Sequence, residues 1–428
     1  MAAQFGLSNA SATAARWHEE GLPLAMLMAS NCGLTPLTAM PPWTWNHIHT
    51  FAHCANVTGP LSPAALAAFK SHDFVVLEKF QQMADVPVNR SGEKKIETVA
   101  RTLKANNPKQ EVYIYVAVDV VRGYYDGWAA FDRHPDIELH AADGRLVTEG
   151  PRVVSEWPGA HVFDFAQPAA RAAWNNVVLD AINNGTIDGA FIDGISSGAV
   201  FNRTLLAPAN ATEQTAWLTG LNTTLATLRK EVGDDVVLLQ NSHSGWPRSR
   251  DARTQAGVGG KIDSKLSYGL GHSLRADMQL VADTSPRVAA IYQNYGYGVP
   301  RSGYNTSIAA FLISMNPGAY WSYTRTLSVS PRAKFPNNVA GSWSCANWMA
   351  PSGVEADYTR PLGAPLGPAM GCSSDGQCAR GFASGTCAYL ATANGSSCVW
   401  WADGHTVGDS CARPRPQACK RAHDRLAG

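Results

Sequence analysis

The sequence predicts an α/β protein: a (β/α)8 TIM barrel followed by a small disulfide-rich β module at the carboxyl end. Three observations carry this. Between about Trp45 and Thr324, eight short apolar runs alternate with helical patterns, the order that places helices around a parallel sheet. No G-x-G-x-x-G turn follows an early run, so the competing doubly wound open sheet lacks its usual mark. Seven of the nine cysteines lie between Cys345 and Cys419, beyond the point where the alternation stops.

The strand-like runs are His47–His53, Asp73–Phe80, Glu111–Val120, Ile187–Ile195, Asp235–His243, Ser264–Leu270, Arg287–Tyr295 and Ala319–Thr324. Most are continuous apolar stretches ending in polar residues, as strands buried on both faces are. Helices fill the gaps. After the first run, Ser62 stands as N-cap before Pro63 at the first helical position. "SGEKKIETVARTLKANNP" follows the second run and stops at Pro108. "QPAARAAWNNVVLDAIN" sets Trp174, Val177, Val178 and Ala181 on one stripe, and the next helix does so with Leu218, Leu221, Leu225 and Leu228 before Gly233 ends it. "SLRADMQLVADTSP" and "YNTSIAAFLISMNPG" supply the later helices, whereas Ser244–Lys261, rich in Gly, Arg and Ser, gives no clear pattern.

These readings divide the chain into an amino-terminal segment resembling a poor leader (1–40), the barrel (41–330), a Pro-, Gly- and Trp-rich connection (331–370), the Cys-rich module (371–412) and a basic tail (413–428). In the module, Asn394-Gly395 and Asp403-Gly404 mark hairpin turns. The cysteine spacing has no C-x-x-C pair, so disulfides are expected rather than zinc, and the odd count leaves one thiol over. Nine N-x-S/T sequons, at Asn9, Asn56, Asn89, Asn184, Asn202, Asn210, Asn222, Asn305 and Asn394, point with the cysteines to a secreted or secretory-lumen glycoprotein. A formal net charge of +1 gives no field for nucleic acid, and no run of 18 apolar residues spans a membrane.

In such a barrel, chemistry sits at the carboxyl ends of the strands. In the stretch "TIDGAFIDGIS" this rule separates Asp188, at the start of strand 4, from Asp193, at its end. Asp188 reads as a cap or turn residue, and Asp193 as a mouth carboxylate with Gly194 giving close backbone access. Glu78 and Asp119 end strands 2 and 3, and Asp164 reads as a cap for the helix after it. Asn241 and His243 end strand 5, Gln293 and Asn294 strand 7, and Trp321 and Tyr323 strand 8, with Tyr125 in the loop after strand 3. Acidic groups beside Tyr and Trp suit sugars, whose apolar faces stack on aromatic rings and whose glycosidic bonds are cleaved by paired carboxyl groups.

The stretches "HTFAHCANVTGPLSPAALAAFKSHDFVVLEKFQ", "HPDIELHAADGRLV", "VFDFAQPAARAAWNNVV" and "IDGAFIDG" resemble the TIM-barrel proteins described as hypothetical glycosyl hydrolases. "RPLGAPLGPA" with "GFASGTCAY" is similar to their carboxyl-terminal β domain, so the likeness covers roughly Trp43–Leu390. The resemblance implies a glycosidase acting on a polysaccharide or glycan, with no cofactor and with Asp193 in its catalytic centre. Strands 5 and 7 end in Gln, Asn, Ser and His rather than acids, so the partner acid is Asp119, Glu78 or a loop acid such as Asp126, or is absent; Asp119 and Glu78 are the favoured candidates. Asn241, His243, Gln293, Asn294, Trp321, Tyr323 and Tyr125 are expected to hold the sugar. Two alternatives stand beside this reading. One is a non-catalytic, lectin-like barrel. The other is a metal-dependent, amidohydrolase-like enzyme using the H-x-H pair His47 and His49 on strand 1.

Overall fold

The structure is a computed structural model. It describes residues 39–56, 59–78, 81–82, 92–118, 128–140, 144, 146–147, 161–193, 211–240, 261–262, 274–275, 278–279, 282, 290–295, 301–324, 345, 355–412, 414–417 and 419. The protein is a mixed α/β fold on a parallel sheet. Strands β1 (Phe51–Cys54), β2 (Phe74–Leu77), β3 (Glu111–Ala117), β4 (Gly189–Asp193) and β5 (Val237–Gln240) pair in that order, all parallel. Strands β6 (Lys261–Ile262), β7 (Ala290–Tyr295) and β8 (Ala319–Thr324) form a second parallel set. A parallel bridge between Thr50 and Trp321, with the Trp321 N–H donating to His49 O at 2.9 Å, joins β8 to β1. The strands thus run β6-β7-β8-β1-β2-β3-β4-β5. Among the described residues, no pair joins β5 to β6. The sixth strand expected from sequence, 264–270, lies outside the described residues; β6 precedes it.

Both faces of the strands are apolar, which is why the sequence shows runs rather than alternation. Phe51, Phe74, Val76, Tyr113, Tyr115, Phe191, Val237, Leu239 and Tyr320 pack together on one face, the interior. On the other face Ala52, Val75, Leu77, Ile114, Val116, Ala190, Ile192 and Leu238 meet the helices. These are α1 (Pro63–Phe69), α2 (Gly92–Asn106), the short α3 (Trp128–Arg133), α4 (Pro168–Asn183) and α5 (Ala211–Val232). Ser62 caps α1 as expected, its hydroxyl accepting from Ala65 N at 3.1 Å. Asp164 does not cap α4. Its carboxylate accepts from Ala166 N at 3.1 Å in the turn ahead, and Gln167 takes the cap position. The buried indoles of Trp174 and Trp217 donate to Ala117 O (3.0 Å) and Phe163 O (2.8 Å), so each large ring has its polar atom satisfied. Helix α5 crosses the Phe165 carbonyl at Gly220, where a Cβ would stand 1.8 Å from that oxygen.

Helix α6 (Arg301–Ser314) covers β8 and also carries the carboxyl-terminal module. After the short α7 (Glu355–Thr359), the module is an antiparallel sheet of β9 (Gln377–Gly381), β10 (Cys387–Ala391), β11 (Ser397–Trp400) and β12 (Thr406–Val407). The expected turns hold Gly395 and Gly404 at φ 74° and 88°, a region that favours glycine. Arg380 of β9 donates to Met315 O, so a guanidinium satisfies a carbonyl just past the end of α6. Disulfides join Cys372–Cys378, Cys387–Cys419 and Cys398–Cys411. Cys419, within the expected basic tail, is therefore fastened to β10. A fourth disulfide, Cys54–Cys345, ties the end of β1 to a residue of the connection, 291 positions away. Cys32, the ninth cysteine, lies outside the described residues. No helix among the described residues is long and apolar enough to cross a membrane.

Candidate active site

The carboxyl ends of β1 to β4 bring four polar side chains into the apolar interior. Strand alternation sets them there. His53 lies two residues beyond Phe51, Tyr115 two beyond Tyr113, and Asp193 two beyond Phe191, all on the interior face. Glu78 follows Val76 in the same way at the end of β2. Two pairs result. His53 Nε2 lies 3.1 Å from Glu78 Oε1, with both side chains 1% exposed. The Tyr115 hydroxyl donates to Asp193 Oδ2. Aromatic rings connect the pairs: His53 lies against Phe191 (4.8 Å between centroids) and Tyr115 (5.9 Å), and Tyr115 stacks on Phe191.

The pairs differ in access. Asp193 is partly exposed at the end of β4, whereas Glu78 and His53 are sealed. A hydroxyl donating to a carboxylate fixes its orientation. Backbone contacts hold the sealed pair: Glu78 N–H donates to Cys54 O at 2.9 Å. The buried Gln81 side chain accepts from Asn56 N and donates to Cys54 O, both at 2.9 Å. The Cys54–Cys345 disulfide lies next to His53 in sequence.

Asp119, Asn241, His243 and Tyr125 lie outside the described residues. Gln293 and Asn294 stand on β7, with Cα atoms in register with Ser322 and Tyr323. Trp321 and Tyr323 are at most 5% exposed and pack among Tyr304, Ile308 and Phe311 on the helix side of β8, away from the interior where Tyr320 lies. Sequence reasoning does not single out His53 and Tyr115. The signal that could find them is their spacing of two from interior aromatics, on strands whose opposite face is also apolar.

The other end of the strands is structural. Asp188 accepts from Val112 N (2.8 Å) and Lys104 Nζ (2.6 Å), tying α2 and β3 to the start of β4. His47 and His49 are not at the mouth, because both precede β1. That position removes the ground for a catalytic metal centre of the amidohydrolase kind, whose ligands sit at the strand ends. Burial lowers the His47 pKa, with the nearby His49 acting in the same direction and Asp73 opposing.

No curated protein matches the chain. Among solved structures, it is similar to an uncharacterized protein of Listeria monocytogenes EGD-e in complex with glucose, magnesium and calcium. The identity is 14% and the TM-score 0.43, over 74% of this chain and 31% of that one. The chain thus spans about a third of the length of that protein. It is also similar to a single-residue variant of the glycoside hydrolase domain of PelA from Pseudomonas aeruginosa (16% identity, 64% and 94% coverage, TM-score 0.36). A third likeness is to a noncanonic maltogenic alpha-amylase from Thermotoga neapolitana (10% identity, 83% and 86% coverage, TM-score 0.42). The family model described as hypothetical glycosyl hydrolase family 15 matches residues 104–386, more than half of the chain. That span runs from the end of α2 through every strand from β3 to β9, and on this match the chain belongs to the hypothetical glycosyl hydrolase family 15.

Proposed function

We propose that this chain is a secreted glycosidase that hydrolyses a polysaccharide or glycan with paired carboxyl groups at the mouth of a closed (β/α)8 barrel. The observation that carries the reading is Asp193, partly exposed at the end of β4 with the Tyr115 hydroxyl on its Oδ2. Family membership supports the reaction class. The β8–β1 bridge supports closure, because it makes one run of eight parallel strands. Four disulfides support an oxidising compartment.

In this reading Asp193 is the nucleophile or base, depending on its separation from the acid. Asp119 is the acid. Its support is sequence parity: Tyr113, Tyr115 and Ala117 share the interior face, and 119 is the next odd position. Glu78 gives no proton to the leaving oxygen, because it is sealed against His53. Asn241, His243, Gln293, Asn294 and Tyr125 bind sugar hydroxyls, whereas Trp321 and Tyr323 belong to the wall.

The test is release of reducing ends from a polysaccharide panel by the protein and by Asp193→Asn. Turnover by the protein, lost in the variant with substrate binding retained, is the expected result. Equal turnover in both overturns the assignment of Asp193. Glycan binding without turnover by either replaces the enzyme with the lectin-like reading, which the sequestration of Glu78 favours over any other alternative.

A further inference from the structure

At the pole opposite the mouth, a second polar cluster has no part in the proposed reaction. His47 and His49 approach β1, and Asp73 is the residue before β2. One ligand atom from each lies within 4.8 Å of the others. From this geometry we infer that His47, His49 and Asp73 form a binding site for one divalent ion of the zinc class, which fastens the amino ends of β1 and β2 and takes no part in hydrolysis.

Two imidazoles and a carboxylate are a donor set suited to zinc, cobalt or nickel rather than to calcium or magnesium. In a tetrahedral zinc site with bonds of about 2.0–2.1 Å, ligand atoms stand roughly 3.3 Å apart. His49 Nδ1 and Asp73 Oδ1 are already 2.9 Å apart. The His47 ring, half-buried, lies 4.4 Å from that of His49, and a modest rotation about its side-chain bonds completes the set. Water would fill the fourth position.

The surroundings favour this use of the cluster. Asp73 Oδ2 accepts the Thr50 N–H at 2.7 Å, which orients the carboxylate and turns Oδ1 to His49. A ligating imidazole almost always donates its other N–H to a carbonyl or carboxylate. His49 Nε2 has such a partner, and a second one. It lies 2.8 Å from Thr44 N and 3.1 Å from Thr44 O. Without an ion, Nδ1–H donates to Asp73 and Nε2 accepts from Thr44 N–H. With an ion, Nδ1 gives its lone pair to the metal, the proton resides on Nε2, Nε2–H donates to Thr44 O, and the Thr44 N–H turns away from Nε2, which no longer accepts it. The proton changes nitrogen and none is lost. Trp43 stacks on the ring at 5.2 Å and Tyr320 meets it edge-on, so the imidazole keeps its plane in both states.

The experiment strips the full chain with a chelator and titrates it with Zn2+, and then with Co2+ for its visible bands, beside His47→Ala. That variant leaves the His49–Asp73 pair intact, so its metal-free Tm is expected within about 2 °C of the parent. The parent is expected to take up one Zn2+ per chain, to gain several degrees in Tm with excess Zn2+, and to show Co2+ bands of a four-coordinate site. His47→Ala should bind roughly tenfold or more weakly and lose the Tm response. No stoichiometric uptake by the parent, or uptake and Tm response unchanged in His47→Ala, overturns the site. None of these readouts depends on the protein being a glycosidase.

Discussion

The sealed pair at the carboxyl ends of β1 and β2 is the most exposing place to test the energetics of this fold. His53 and Glu78 are each 1% exposed and stand 3.1 Å apart, with Phe191 and Tyr115 closing over the imidazole. Neither group has bulk water to turn to if the other is removed. Truncating one partner of such a pair costs about 3–5 kcal/mol, because a polar group is left buried without its counterpart. His53→Leu and Glu78→Met, chosen to keep volume, should each lower stability by that amount. Replacing both by apolar side chains removes the buried polar groups together, and buried pairs so replaced are often neutral or up to about 4 kcal/mol more stable. The double variant is therefore expected near or above the parent, with a coupling of at least about 6 kcal/mol. Equilibrium urea unfolding of the four proteins, disulfides intact, measures the cycle. Single substitutions costing under about 1 kcal/mol, adding without coupling, would refute the claim that the pair is dry and mutually dependent.

Tyr115→Phe removes the donor to Asp193 Oδ2 while keeping the ring on Phe191; a hydrogen bond to a charged group is worth about 1.5–3 kcal/mol. On an active substrate, kcat should fall roughly ten- to a hundredfold with KM little changed, and an unchanged kcat would separate Tyr115 from the chemistry. Gly220→Ala, which in an exposed helix would stabilise, should here lower Tm, because the new Cβ meets the Phe165 carbonyl 1.8 Å away. Burial raises the Glu111 pKa above the ordinary glutamate range, against the hydrogen bond from Tyr113. A carboxyl group so raised contributes stability at low pH and loses it as pH rises through the raised value. Glu111→Gln should therefore have the higher Tm at neutral pH, the advantage vanishing as the pH falls below the glutamate range; a constant offset across pH would contradict this.

Composition and runs make the order of elements legible. The runs at Ala319–Thr324 and Glu111–Val120 match β8 and the start of β3, and Ser62 with Pro63 places α1 to the residue. The same property that marks the strands hides their facing. A strand apolar on both sides carries no alternation, so sequence does not say which parity faces the interior. On β8 the polar-tipped aromatics Trp321 and Tyr323 look like sugar platforms, but they belong to the helix side, and Tyr320 and Ser322 have the other parity. His49 looks like part of strand 1 because "HIHTFAH" is continuous, yet pairing with β2 begins only at Phe51. Glu78 is legible as a strand-end carboxylate, but its partner His53, 25 positions earlier, becomes apparent only once β1 and β2 lie side by side.

The Cys54–Cys345 bond makes a covalent ring of the chain between those residues, with every strand from β2 to β8 inside it. A single protease cut anywhere in that ring opens it without releasing a fragment: the two pieces migrate together on a non-reducing gel and separate only after reduction. Cuts outside the ring shed the amino-terminal segment, but on the other side Cys387–Cys419 retains most of the last residues in the same way. Molecules nicked within the ring would thus stay in one piece, whereas a cut between Cys345 and Cys372 would free the carboxyl-terminal module. New ends opened within the ring would also remain tethered, which makes its loops natural places to insert a reporter domain or to permute the chain.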